Sequence, residues 1–223
     1  MGNAIAKSGI PRDEIFLTTK VWIEHYGYER AKASVLESMR KLQVDYLDLC
    51  LLHQPFSDAY GAYRALEELY DEGKIRAIGI SNFYTDRMVD FASFNRIKPM
   101  VNQVEIHPHN QQTEAKAWHM FHTPELKVIA EKYGKSVAQV ILRWHLQRGI
   151  VIIPKSTHLE RMEENFHVFD FSLSEDDMAV IATIDKKQSS FFSHNDPNMV
   201  EWFVKMVDER KQQHDCTKDK KNW

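Results

Sequence analysis

The sequence predicts an α/β protein on a parallel sheet, with five strand-like runs whose pattern is that of a (β/α)8 barrel rather than an open doubly wound sheet. Three observations carry this. Short apolar runs alternate with helix-period segments at intervals of about 25–30 residues, the rhythm of right-handed crossover units. The eight glycines are scattered and form no G-x-G-x-x-G turn, which an open nucleotide-binding sheet normally carries. Each apolar run ends on polar residues, the arrangement at the mouth of a parallel barrel.

The five runs are Ile15–Thr19, Tyr46–Leu52, Ile75–Ile80, Met100–Ile106 and Ile150–Ile153. The second contains Leu49, Cys50, Leu51 and Leu52 without interruption, the pattern of a strand buried on both faces. Between the runs, Glu29–Gln43 places Ala33, Leu36, Met39 and Leu42 on one helical stripe. Tyr60–Asp71 does the same with Tyr63, Leu66, Leu69 and Tyr70, and Thr85–Phe94 follows. Gly73 closes the second helix. Thr123, Pro124 and Glu125 read as N-cap, first-turn proline and first-turn acid. Ser136 with Gln139 reads as a capping box, and Ser174 with Asp177 as a weaker one. Residues 1–210 are expected to form one domain and residues 211–223 a polar, disordered tail.

Composition narrows the function. Hydrophobic residues make up 43% and charged residues 27% of the 223, ordinary for a globular chain. A net charge of −3 without a basic block argues against nucleic acid. No stretch of about 18 apolar residues argues for a membrane span, and the N-terminus has no apolar signal core. Two cysteines make no disulfide framework, so a cytoplasmic location is expected. The histidines of "HPHNQQ" have no second cluster at ligand spacing, so no metal site is expected.

The strand ends supply the chemistry. In order they offer Lys20; His53; Ser81 with Asn82; Asn102, Gln103, Glu105 and His107; and Lys155 with Ser156. The stretches "LTTKVW", "DLCLLHQP", "IRAIGISNF", "VNQVEIHP" and "VIIPKSTHLERMEENF" resemble the aldo-keto reductases, in particular the 2,5-diketo-D-gluconate reductase-like branch. The resemblance implies NADP(H)-dependent reduction of aldehydes or ketones in a barrel. It implies catalytic roles for Lys20 and His53, the lysine lowering the pKa of a proton-donating tyrosine and the histidine orienting the carbonyl. It places Ser81, Asn82 and Gln103 on the nicotinamide amide. Lys155, Ser156, Arg161 and Asn165 fall on the 2′-phosphate and adenine contacts, and Thr157 and Glu164 on further cofactor positions.

The chain departs from this family in two places. It begins inside the helix before the third family strand, so the family's catalytic Asp and Tyr have no counterpart; Tyr26 and Tyr28 follow Lys20 without matching the donor's motif. After "QQTEAKAW" the expected seventh strand is missing, so the resemblance implies an incomplete barrel with about five of eight strands present. A carbonyl reductase missing its general acid, a non-catalytic NADP-binding or interaction relative, and a non-functional fragment all remain open. Open strand edges also allow self-association. Trp22 and Trp118 read as core or pocket aromatics, and Phe191, Phe192 and Trp202 as pocket walls or packing.

Overall fold

A computed structural model describes residues 1–108, 123–185 and 196–219, with side chains to residue 210. Where one domain is expected, the chain divides into two compact units: Met1–Val104 with His194–Trp223, and Glu105–Ser193.

The first unit holds a parallel sheet in the order β1 (Thr18–Val21), β2 (Leu49–Leu52), β3 (Ile78–Ser81) and β4 (Asn102–Gln103). Its helices are α1 (Gly2–Lys7), α2 (Tyr28–Leu42), α3 (Ala59–Asp71) and α4 (Thr85–Phe94). All four β2 residues are buried, as expected of a strand flanked on both edges and both faces. Register sets Lys20 beside Leu51 and Ser81 beside Gln103. The first strand lies about three residues later than expected, because Arg12–Glu14 forms a 3-10 turn. Arg12 also donates to the Ile15 carbonyl at 2.6 Å, keeping that residue out of the ladder. At the entry end, Asp48 accepts from the Leu17 N–H at 2.9 Å and pairs with Arg12 and Arg76. Both guanidiniums also sit 4.0 Å from the Tyr46 ring centre.

Gly79 lets β3 and β4 approach closely. A Cβ there would meet the Val101 carbonyl oxygen and stand 2.8 Å from Leu51 Cδ2. The buried stripe of α2 is Ala31, Val35 and Met39, four residues apart, and not the expected set; of that set only Met39 is buried. On α3, Tyr63, Leu66 and Leu69 are buried as expected. The unit ends in α9 (Pro197–Asp219), which continues through 211–219 where a tail is expected.

The second unit is helical: α5 (Pro124–Tyr133), α6 (Val137–Gln147), α7 (Leu159–Phe166) and α8 (Glu175–Thr183). Leu126, Ile129, Val140, Ile141, Trp144, Leu173 and Ile181 form its core. Both capping boxes are complete, Ser136 with Gln139 and Ser174 with Asp177. His145 sits between the Ile141 and Ile106 carbonyls, at 2.7 and 2.9 Å. Ile150–Ile153, expected as the fifth strand, is not a strand. Val151 is 88% and Ile153 66% exposed: without a neighbouring strand an apolar run gains nothing by extending into a ladder. Trp118, Phe191 and Phe192 lie outside the described residues.

Candidate active site

Four of the residues singled out in the sequence form one hydrogen-bonded chain at the C-terminal ends of β1, β2 and β3. Lys20 Nζ donates to Ser81 Oγ at 3.3 Å. Asn82 Nδ2 donates to the same oxygen at 3.3 Å and to the His53 carbonyl at 2.9 Å. The His53 N–H in turn donates to the Val21 carbonyl at 3.1 Å. Asn82 reaches both partners because its φ is +65°, a left-handed conformation that asparagine tolerates better than most residues. Its own N–H is held by the Gln103 carbonyl at 2.9 Å.

Burial sets the electrostatics. It lowers the pKa of the half-buried Lys20, with no carboxylate contributing to the shift. It pushes His53 down to about 4, the neighbouring Lys20 ammonium adding in the same direction. At neutral pH the imidazole is therefore uncharged and able to donate one hydrogen bond. The Trp22 ring meets His53 edge-on at 4.9 Å. Phe203 of α9 is buried at 5.9 Å from Trp22 and 5.3 Å from Phe56. Sequence reasoning picked its neighbour Trp202, which is half exposed; α9 carries no clean apolar stripe that distinguishes the two.

Neither tyrosine after Lys20 stands as a proton donor. Tyr26 is wholly buried and its phenol is held by the Gln54 backbone, with burial raising its pKa, the wrong direction for an acid working near neutral pH. Tyr28 bonds to Glu68 at the surface.

In the second unit, Lys155, Ser156, Thr157, Arg161, Glu164 and Asn165 all line one cavity of about 750 Å³. Its size falls within the range of small-molecule sites. Arg161, Glu164 and Asn165 are spaced i, i+3, i+4 and so share a face of α7. Lys155 and Ser156 approach the start of that helix, where Ser156 Oγ accepts the His158 N–H at 3.1 Å. Two cations beside a helix N-terminus make an anion-favouring pocket. Among the described residues no group of three or more His, Cys, Asp or Glu side chains could hold a metal, and no helix is long and apolar enough to cross a membrane.

A sequence model of the Aldo/keto reductase family matches residues 1–123 and 115–186. The chain belongs to the aldo/keto reductase family. The two matched stretches overlap at 115–123. A glyoxal reductase of Bacillus subtilis (strain 168) is 46% identical over 206 residues, 84% of this chain and 75% of that protein. The crystal structure of an aldo-keto reductase from a Medee basin deep-sea metagenome library superposes with a TM-score of 0.81 at 38% identity, over 87% of this chain and 80% of that one. The Bombyx mori aldo-keto reductase, solved in complex with NADP, gives 0.75 at 30% identity, over 84% and 73%. The α/β fold with its parallel sheet is therefore that of a barrel family, with four strands among the described residues.

Proposed function

We propose that this chain binds NADP(H) and directs it at small aldehydes or ketones, with weak turnover because neither Tyr26 nor Tyr28 is placed to supply the proton. The observation that carries the reading is the hydrogen-bonded chain Lys20–Ser81–Asn82–His53 at the strand ends. The likeness to a glyoxal reductase favours small reactive carbonyls as substrates, and the NADP complex of the Bombyx mori relative supports the cofactor.

The residues fit that cofactor. Lys155 and Arg161 suit the 2′-phosphate, Ser156 and Asn165 the adenosine, and Thr157 and Glu164 line the same cavity. Ser81, Asn82 and Gln103 suit a neutral carboxamide, which donates and accepts. Ser81 Oγ already accepts twice, so its own proton is the one it can offer, and Asn82 retains its Oδ1 as acceptor. NADPH, when bound, supplies a hydride to the carbonyl carbon. Neutral His53 donates to the carbonyl oxygen and orients it. Lys20 stabilises the developing negative charge through its ammonium. With neither Tyr26 nor Tyr28 placed as donor, the alkoxide takes its proton from water, and a positioned donor would be worth about 10²–10⁴-fold.

The test is NADPH oxidation, followed by absorbance, with glyoxal and with an activated aromatic aldehyde. Turnover far below about 1 s⁻¹ is expected. A rate at or above that level would show that a proton donor is present. Absence of NADPH binding by fluorescence titration would sink the cofactor reading itself.

A further inference from the structure

Tyr26 is wholly buried in the first unit, and a phenol there is costly unless its hydroxyl is paired. Its oxygen donates to the Gln54 carbonyl at 2.8 Å and accepts from the Gln54 N–H at 3.0 Å. One hydroxyl thus grips both ends of one residue. Pro55 makes this possible: a residue before proline is driven to extended backbone, where its own N–H and C=O converge on one side. Gln54 is also buried, so the grip lies in a site of low dielectric where such bonds are strongest.

The gripped residue directly follows His53. The peptide group leaving His53 is consequently held at both poles, its carbonyl by Asn82 Nδ2 at 2.9 Å and its N–H by Tyr26. The peptide entering His53 is held by Val21. With both flanking peptides fixed, the His53 backbone is held in place, and the Trp22 ring edge-on at 4.9 Å restricts the imidazole that projects from it. We propose that Tyr26 is a positioning residue: its hydroxyl clamps Gln54 and so fixes the aim of the His53 imidazole. An error of about 1 Å in such a group costs about 10²-fold in rate, which gives a buried hydroxyl a purpose that a phenylalanine could not serve. The inference rests on reading His53 as the group that orients the carbonyl.

Tyr26→Phe removes one oxygen and keeps the ring. The His53 Cε1–H resonance, titrated by NMR, is expected near 4 in the unaltered chain. In Tyr26→Phe it should move upward toward 6.5, as the freed loop admits water to the ring. A tyrosine that serves packing alone would lower the melting temperature and leave that titration where it was, which would overturn the proposal. A second measurement needs no variant: in the unaltered chain the Gln54 amide should exchange with solvent as slowly as the β2 amides, and fast exchange would equally overturn it. Neither readout requires cofactor or turnover. A chain that binds no NADPH, with a shifted His53 in the variant, sinks the cofactor reading and keeps the clamp. A chain that binds NADPH, with an unshifted His53 in the variant, sinks the clamp alone.

Discussion

His53 is neutral in the fold because its surroundings cannot hydrate the charged form and Lys20 repels it. The consequence for stability has a definite sign. Between pH 6.5 and about 4 the unfolded chain binds a proton at this position that the folded chain does not. Acid in that window favours unfolding, so stability is full above 6.5 and falls toward 4. His145, lowered by burial in the second unit, acts in the same direction. The urea midpoint should therefore drop between about pH 7.5 and about pH 5, and His53→Gln should flatten part of that slope. A midpoint indifferent to pH over this range, or a slope unchanged in the variant, would refute the assignment. At this scale the sequence was informative where a residue's type decides its chemistry. Lys20, Ser81, Asn82 and His53 were readable as polar groups ending apolar runs. Tyr26 was not: its value lies in a bond to a backbone 28 residues away, which no local pattern announces.

Helices were readable where a cap or stripe is local. The Ser136 box and the limits of α4 follow from spacing alone. The buried face of α2 was misread, because Leu36 and Val35 both suit a stripe and only packing against a particular neighbour chooses between them. The cavity beside α7 combines both kinds of information: its residues come from one continuous motif, so local sequence places them together before any tertiary contact forms. Arg161→Ala should weaken binding of NADPH, and of adenosine 2′,5′-bisphosphate, by about 1–3 kcal/mol, the loss of a charge-assisted hydrogen bond. NADH lacks the 2′-phosphate and should be nearly unaffected. Calorimetric titration of the three ligands decides it, and an equal loss for NADPH and NADH would remove Arg161 from the phosphate.

For the whole molecule, the informative failure is Ile150–Ile153. Its four apolar residues carry the composition of a strand buried on both faces. Composition alone does not make a strand, since the ladder must be supplied by neighbours. β2 and β3 each have a strand on both sides, whereas β1 is paired on one side only among the described residues. Val151 and Ile153 instead stand in solvent, and Phe166 is 77% exposed on the helix that follows. An unpaired parallel edge in one unit and an apolar exposed run in the other are each adhesive. The chain should therefore self-associate as concentration rises. Val151→Lys with Ile153→Lys should weaken that association, because two ammonium groups on the exposed run resist burial and repel a second copy. The same substitutions touch no hydrogen bond of the Lys20–His53 chain, which lies wholly in the other unit, so His53's titration should be unchanged. Sedimentation velocity across a range of concentrations tests this. A single monomeric species throughout, or association undiminished in the lysine variant, would show that the exposed run is not the adhesive surface.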